Sequence, residues 1–144
     1  AGDILTNIQN LIGSDKAQTG DNLTGNAGNN VLEGRVGYDI LDGGAGDDTL
    51  IGGAQGDTLT GGAGNGLFVF DNVGGTDTVN DFTAGNAAVD QLDISAFGFA
   101  DLAAVQAATD LTWNGLTRIQ LDEDDAVILI GVVENDFVLG DFIL

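Results

Sequence analysis

The sequence predicts a mainly β fold, in which a solenoid of short strands is followed by a β-rich region with one short helix. Three observations support this prediction: a nine-residue period runs over residues 16–69, glycines recur at fixed positions of the period, and each unit carries one large apolar residue. A fixed period of this kind is typical of stacked repeat architectures. We expect two cooperating parts, with the repeats in residues 1–69 and a C-terminal capping region in residues 70–144.

The unit 43–51, GGAGDDTLI, fits the pattern GGxGxDxUx at every defined position. With Gly43 as position one, glycines at positions one, two and four are expected to allow positive φ and close backbone approach. Residues seven to nine are expected to form a short strand with the middle side chain turned inward. That middle position, position eight, is large and apolar in six successive units: Leu23, Leu32, Leu41, Leu50, Leu59 and Phe68.

Position six is an aspartate or an asparagine in every unit except the last, where it is Gly66. Lys16 to Thr24 is the weakest unit, with no glycine at positions one, two or four, and Arg35 replaces the second glycine of unit 34–42. These departures predict where ligation weakens. The oxygen-bearing residues at position six are Asp21, Asn30, Asp39, Asp48 and Asp57.

Composition restricts the classes of function. The 144 residues contain three basic and 23 acidic residues, a net charge of −20, which disfavours nucleic acid and anionic membranes as partners and favours cations. Histidine and cysteine are absent, which removes the usual zinc ligands and the usual general base. No apolar run long enough to span a membrane is present. Because methionine is absent, we expect a fragment of a longer chain.

The repeated carboxylates predict a hard, oxygen-preferring metal ion. Stacked strands lie about 4.8 Å apart, and two bare carboxylates at that separation repel by roughly 3–4 kcal/mol at an effective dielectric constant near 20. A divalent cation between rungs reverses the sign of this interaction, and turn carbonyls can complete the oxygen shell that calcium prefers. The alternative is that these are ordinary Asp-Gly turn residues, but their single register over six units favours ligation.

Residues 16–69 resemble the calcium-binding nonapeptide array of the RTX (repeats-in-toxin) proteins. The resemblance implies a right-handed parallel β-roll with two nonapeptides per turn, so that the loops sharing an ion are two units apart. It further implies about three to five calcium ions, shared between Asp21 and Asp39, between Asp39 and Asp57, and between Asn30 and Asp48.

The stretch GTDTVNDF followed by VDQLDISAFGF is similar to the junction of RTX proteins between the roll and the C-terminal region. This similarity favours Asp77 and Asp81 as further ligands over ordinary turn residues, whereas the insertion Asn86 to Val89 leaves Asp90 undecided. The aromatic residues Phe68, Phe70 and Phe82 are expected to form a capping core. The candidate metal-binding residues are Asp21, Asn30, Asp39, Asp48, Asp57, Gly28, Gly37, Gly43, Gly46, Gly52, Gly61, Gly64, Asp77 and Asp81.

The last third of the chain predicts a helix and further strands. Residues 101–109 are expected to form the helix with Asp101 as its N-cap, followed by a hairpin about Asn114-Gly115 and a strand in DAVILIGVV. The acidic run 122–125 is interpreted as a solvated turn. Trp113 is expected in the core, because a single aromatic residue makes a poor sugar site.

The chain ends in Asp141 followed by Phe142, Ile143 and Leu144. By composition this is an exposed hydrophobic end or a short strand. It also resembles the terminal signal of RTX exoproteins exported by type I (ABC transporter) secretion, which implies that apparatus as a partner.

The function predicted from these features is a non-catalytic, monomeric calcium-binding module at the C-terminus of a secreted bacterial protein, extracellular or on the cell surface. It would fold on extracellular calcium and support an upstream domain. The alternative is a module that binds an anionic polysaccharide, like the R-modules of alginate epimerases, or an adhesive module. Catalysis is disfavoured, because the regular spacing of the carboxylates explains them better as ligands than as a glycosidase pair.

Overall fold

A computed structural model describes residues 9–16, 19–85, 90–111, 116–132 and 137–144. Within these ranges one α-helix, α1, spans Leu102–Ala107, and short 3-10 turns span Ser95–Phe97 and Leu139–Asp141. The remaining elements are strands, so the predicted mainly β class is confirmed. In chain order they are β1 Asn10–Ile12, β2 Asn22–Thr24, β3 Val31–Val36, β4 Ile40–Asp42, β5 Thr49–Ala54, β6 Thr58–Thr60, β7 Leu67–Val69, β8 Gly75–Val79, β9 Gln91–Asp93, β10 Thr109–Leu111, β11 Thr117–Gln120, β12 Asp125–Leu129 and β13 Phe142–Ile143.

The strands form two sheets that share one core. The first sheet has the order β1-β3-β5-β7-β9-β13, and the second has the order β10-β11-β12-β8-β6-β4-β2. Alternate repeats therefore lie in alternate sheets. Within the first sheet Leu50 pairs with Leu32 on one side and Phe68 on the other, and all three strands are parallel. The predicted parallel solenoid, with two nonapeptides per turn, is confirmed.

Position eight is the inward position of every regular repeat. Its residues from Leu32 to Phe68 are fully buried, while the residues on either side of each are partly or wholly exposed. This alternation follows from the two-residue side-chain period of a strand. The core continues into Phe70 and Phe82, which are buried as predicted.

Glycine is required at two kinds of position for two different reasons. Positions two and four have positive φ in most repeats, as at Gly44 with 96° and Gly46 with 121°. Among the described residues, two with side chains also adopt a positive φ: Arg35 at 77° and Gln55 at 80°. Position one does not lie in the positive-φ region; there the absence of a Cβ atom matters, as described below.

Three insertions interrupt the nine-residue spacing without breaking the sheets. Regular neighbours lie two nonapeptides apart, as do Leu32 and Leu50. Leu59 instead pairs with Val79, two positions beyond the regular spacing, and Phe68 pairs with Leu92, six positions beyond it. The strand predicted near the N-terminus is confirmed as β1, where Leu11 pairs with Leu32 across an insertion of three positions. Residues 1–8 lie outside the described residues.

The solenoid continues past residue 69 into the C-terminal region. β12 pairs in parallel with β8, and β11 joins β12 to β10 by antiparallel pairing. The strands of the predicted hairpin are therefore confirmed, whereas its turn, Asn114-Gly115, and Trp113 lie outside the described residues. The division into 1–69 and 70–144 stays a prediction, because both sheets run through that point.

The predicted helix is confirmed, with a shorter C-terminal end. The Asp101 side chain accepts a 2.9 Å hydrogen bond from the Ala104 N–H, which caps α1 as expected. The helix ends at Ala107 and Thr109 already belongs to β10. None of the helices among the described residues is long and apolar enough to cross a membrane.

Two predictions for this region are wrong in part. The acidic run 122–125 is not wholly solvated, because Asp125 begins β12 and is only 6% exposed. The C-terminus forms the short strand considered above, and it is exposed only in part: β13 pairs with β9 and Asp141 is 1% exposed, whereas Ile143 is 37% exposed. The Asp141 carboxylate is buried because it accepts the Val138 N–H at 2.7 Å and the Gly85 N–H at 3.2 Å.

Candidate metal centre

The position-six side chains form a ladder along each edge of the solenoid. We define edge one as the ladder of Asp21, Asp39, Asp57 and Asp77. Each backbone N–H in this ladder donates to Oδ1 of the next member, at 2.6, 2.7 and 2.8 Å in chain order. The regular spacing of the repeat therefore places one carboxylate above another, turn after turn.

We define edge two as the ladder of Asn30, Asp48, Gly66 and Asp90. The Asn30 N–H donates to Oδ1 of Asp48 at 2.7 Å, and the Gly66 N–H donates to Oδ1 of Asp90 at 2.7 Å. Gly66 has no side chain with which to accept the N–H of Asp48. It thus interrupts the ladder, as the sequence predicts, and Asp90 supplies the next rung.

Three carboxylates in the ladders have one oxygen that is both buried and unpaired. Oδ2 of Asp39, Asp48 and Asp57 is buried and has no hydrogen-bond partner among the described residues. An unpaired buried carboxylate oxygen is costly, since charged groups are seldom buried without a partner. Each of these oxygens is therefore a position where a cation would be stabilised.

Each of the three free oxygens faces a position-one glycine, and we call the space beside that glycine a cradle. A Cβ atom built on Gly34 would lie 2.5 Å from Oδ2 of Asp39 and 2.6 Å from the carbonyl oxygen of Gly52. The cradle of Gly43 has the same geometry, with Oδ2 of Asp48 at 2.5 Å and the carbonyl oxygen of Gly61 at 2.6 Å. Position-one glycine is required because any side chain would enter this oxygen-lined space.

The third cradle, at Gly52, is formed differently. A Cβ atom built there would lie 2.4 Å from Oδ2 of Asp57, and the other nearest atoms also belong to Asp57. In the Gly34 and Gly43 cradles, a carboxylate of one turn therefore lies beside a carbonyl oxygen of the next turn. In the Gly52 cradle, the nearest atoms all belong to Asp57.

The donor set of the cradles suits a hard divalent cation bound largely by backbone oxygens. Within the described ranges, no three carboxylates gather into one cluster. An ion held here would take one or two carboxylates and several carbonyl oxygens, and calcium accepts six to eight such ligands in flexible geometry. The residues present therefore fit calcium, for which Asp39, Asp48 and Asp57 would be the charged ligands.

Burial raises the pKa of these carboxyl groups in the ion-free chain. Desolvation is the main cause of the raised pKa of Asp39 and Asp48. For Asp57, desolvation together with repulsion from Asp77 and Asp39 raises the pKa to about 7. The pKa of Asp77 is raised to about 7 by desolvation and by the nearby Asp125. The ion-free ladder thus resists carrying its full negative charge.

The first members of both ladders are better satisfied. Oδ2 of Asp21 accepts the Ser14 N–H at 2.6 Å, and this hydrogen bond lowers the pKa of Asp21. Oδ1 of Asn30 accepts the Asn26 N–H at 2.7 Å. Both residues border a cradle, at Gly13 and Gly25 respectively, but neither offers a free buried oxygen.

The predicted position-four ligands lie in the turns of the two edges. Their backbones stack closely from turn to turn: a Cβ atom built on Gly64 would lie 2.2 Å from the carbonyl oxygen of Gly46. The structure brings these turns together, and their role as ligands stays a prediction. The residues concerned are Gly28, Gly37, Gly46 and Gly64.

Asp77 and Asp81 occupy the last turns of the two edges. Asp77 continues edge one, as described above. The two oxygens of Asp81 accept the N–H groups of Gly61 at 2.9 Å and Gly62 at 2.7 Å. Ligation by either residue stays a prediction.

Asp90 is the ladder residue that the sequence left undecided. It is buried, and its oxygens accept the N–H groups of Gly66 at 2.7 Å and Thr83 at 2.9 Å. The signal that would have identified it is the triplet Asp90, Gln91 and Leu92, which repeats the D-x-U spacing of positions six to eight after an insertion.

Comparison with known proteins agrees with this site. The family model of the RTX calcium-binding nonapeptide repeat matches residues 18–50 and 37–68, with four copies. Residues 18–68 therefore carry RTX calcium-binding nonapeptide repeats, as their sequence resemblance indicated. No match was found among curated proteins.

Two solved structures with similar folds come from one protein of Azotobacter vinelandii, the mannuronan C5-epimerase. The solution structure of its AlgE6R2 subunit is 29% identical, covers 94% of this chain and 92% of its own, and gives a TM-score of 0.68. The AlgE6R3 subunit is 26% identical, covers 92% of this chain and 83% of its own, and gives a TM-score of 0.67. The parallel solenoid of this chain is thus shared along nearly its whole length.

Proposed function

We propose that this chain is a non-catalytic module of a secreted bacterial protein that folds when calcium enters its repeats. One observation carries the proposal: buried Oδ2 atoms without partners face glycine cradles that contain no side chain, in three repeats. The RTX calcium-binding repeats of residues 18–68 support calcium as the ion. We assign Asp39, Asp48 and Asp57 as the charged ligands, one to each ion.

The repeats need the ions because their apolar core is thin. Each nonapeptide buries one large side chain, worth about 1.5–3 kcal/mol, whereas ordering the backbone costs about 1–2 kcal/mol for every residue. Hydrogen bonds and bound ions must supply the rest. In the low free calcium of the cytosol the acidic chain would stay largely unfolded in the repeats, and could thread a transporter.

Outside the cell, calcium would fold the repeats through mass action. Extracellular modules bind calcium with dissociation constants of roughly 10⁻⁴ to 10⁻³ M, and ligands that bind only the folded state stabilise it. Binding energy is then folding energy. We therefore propose a monomeric extracellular or cell-surface module whose folding assists an upstream domain.

Calorimetric titration of the calcium-free chain tests this assignment. We expect about three ions per chain at saturation, corresponding to the three free Oδ2 atoms. Magnesium serves as the control, because it keeps its water ligands and demands near-octahedral geometry, and should bind far more weakly. Absence of calcium binding in the millimolar range would contradict the proposal.

We also propose type I secretion through the C-terminal residues Asp141 to Leu144. In the folded chain these residues are built into the first sheet, with Asp141 and Phe142 buried. A transporter would therefore have to bind them before β13 pairs with β9. Deletion of residues 141–144 should abolish export, while Leu139→Ala, at a side chain that is 60% exposed, should not. Export of the deletion variant at the normal level would remove this role.

A second candidate function is binding of an anionic polysaccharide, and the similarity to two subunits of a mannuronan epimerase favours it. The chain offers only three basic residues, so bound calcium would have to provide most of the attraction. Titration with alginate oligomers at fixed saturating calcium, followed by NMR, tests this function. The lack of any shift would exclude it.

A further inference from the structure

The last repeat of edge two does not contain the oxygen-lined cradle of the preceding repeats. Its position-six residue is Gly66, so the repeat has no position-six carboxylate beside its position-one glycine, Gly61. A Cβ atom built on Gly61 would meet Cζ of Phe68 at 3.0 Å, and the nearest carboxylate oxygen, of Asp81, would be 3.8 Å away. The space that holds Oδ2 of Asp48 in the preceding repeat is thus taken by an aromatic ring.

Phe68 is held in this place by its neighbours. It is fully buried, its ring centroid lies 6.2 Å from that of Phe82, and the two rings are tilted by 59°. The ring also approaches Gly66, where a Cβ atom would lie 3.0 Å from Cε2 of Phe68. A phenyl ring at position eight and a glycine at position six therefore compensate each other in volume.

Two aspartates accept backbone N–H groups of this last turn with both of their carboxylate oxygens. Asp81 accepts the N–H groups of Gly61 and Gly62, and Asp90 accepts those of Gly66 and Thr83. Each uses both carboxylate oxygens. The carboxylates at position six of the earlier repeats, Asp39, Asp48 and Asp57, instead use one oxygen and leave the other unpaired. The two groups of carboxylates therefore differ in whether the protein alone satisfies them.

The apolar core is concentrated on the C-terminal side of this turn. Of the eighteen buried side chains of the core among the described residues, thirteen lie at or beyond Phe70. The repeats before that point contribute five, one in each nonapeptide from Leu32 to Phe68. The C-terminal region therefore buries more apolar side chains per residue than the repeats do.

From these observations we infer that the last repeat has exchanged its ion site for a closure made of Phe68, Asp81 and Asp90, so that residues 61–144 keep their fold without calcium. In this folded part, β7 is the edge strand of the first sheet and β8 is the edge strand of the second sheet. The ion-dependent repeats can then add to these edges one strand at a time when calcium arrives. The later addition of the repeats rests on the proposed function, whereas the closure itself holds whatever number of ions the repeats bind.

Hydrogen exchange of the full chain, read by mass spectrometry in EDTA and in saturating calcium, tests the inference. In EDTA we expect peptides from β9, β11 and β12 to exchange at least about 100-fold more slowly than unstructured chain, and peptides from β3 to β6 to exchange freely. Unprotected β9, β11 and β12 in EDTA would overturn the inference. Equal protection of β3 to β6 in both solutions would instead contradict the proposed calcium-dependent folding.

A variant pair separates the two groups of carboxylates. Asp90→Ala removes the acceptors of Gly66 and Thr83, and should speed exchange in β9 by a similar factor with and without calcium. Asp48→Ala should alter exchange only in calcium. Gly66→Asp restores the repeat pattern, but the Phe68 ring blocks the cradle, so the number of bound ions should not rise. An additional ion in the Gly66→Asp chain, or an effect of Asp90→Ala confined to calcium, would overturn the inference.

Discussion

The backbone N–H of Asp39 donates a 2.7 Å hydrogen bond to Oδ1 of Asp57, while Oδ2 of the same Asp57 is buried without a partner among the described residues. One oxygen thus joins two turns of the solenoid, and the other is available for an ion. The same difference between the two oxygens recurs at Asp39 and Asp48. It explains why the repeat requires aspartate at position six and glycine at position one.

Adjacent carboxylates provide a matched test of ion binding. Asp48→Asn should remove one calcium ion and raise the calcium midpoint of folding several-fold, because its Oδ2 borders the Gly43 cradle. Asp47→Asn carries the same charge change, but Asp47 is exposed and its Oδ1 accepts the Asn65 N–H, which an asparagine can also do. Calorimetry on both variants checks the difference. An equal loss of calcium binding in both would show that charge alone, rather than the cradle, binds the ion.

Position one is expected to require glycine because the cradle has no room for a side chain. Gly43→Ala places a methyl group 2.5 Å from Oδ2 of Asp48 and 2.6 Å from the Gly61 carbonyl oxygen, and should destabilise the calcium-loaded chain by about 1–3 kcal/mol. Gly28→Ala is the control, because its methyl group would meet only Oδ1 of Asn26, at 3.4 Å. Urea denaturation in calcium measures both. Similar stabilities of the two variants would refute the role of the cradle.

The stability of the ion-free chain should depend on pH. The pKa of Asp57 is raised from 3.8 to about 7 in the fold, mainly by desolvation, so protonation favours the folded state. This contribution is complete below about pH 4 and is lost as the pH rises through about 7. In EDTA, strand content should therefore increase on acidification from about pH 8 to about pH 5, while apparent calcium affinity should fall. Circular dichroism that is flat over this range would contradict the assigned burial of these groups.

Backbone strain at Gln55 predicts a stabilising substitution. Its φ of 80° costs a residue with a Cβ atom about 1–2 kcal/mol, whereas glycine adds about 0.5–1 kcal/mol of unfolded-state entropy. Gln55→Gly should thus stabilise the calcium-loaded chain by about 0.5–1 kcal/mol, and Gln55→Ala should give no such gain. Thermal unfolding in saturating calcium compares them. A lower melting temperature for the glycine variant would disprove the strain.

The repeated part of the fold was predictable because one period determines both the inward leucines and the stacked aspartates. The period breaks down where insertions change the chain length between rungs, which is why Asp90 could not be assigned from spacing alone. Burial of Asp141 was also unpredictable, since it depends on β13 reaching β9 from a distant part of the chain. The closure of the last cradle by Phe68 was unpredictable for another reason. The ring at position eight fits there only because position six is a glycine, and neither residue alone indicates this.

Circular dichroism of the whole chain in EDTA and in roughly 5 mM calcium is the decisive test of whether calcium folds the repeats, since this concentration exceeds the dissociation constants typical of extracellular modules. We expect a large gain of strand signal on adding calcium and its reversal by excess EDTA, with magnesium ineffective. Identical strand content in EDTA and in calcium would contradict calcium-dependent folding.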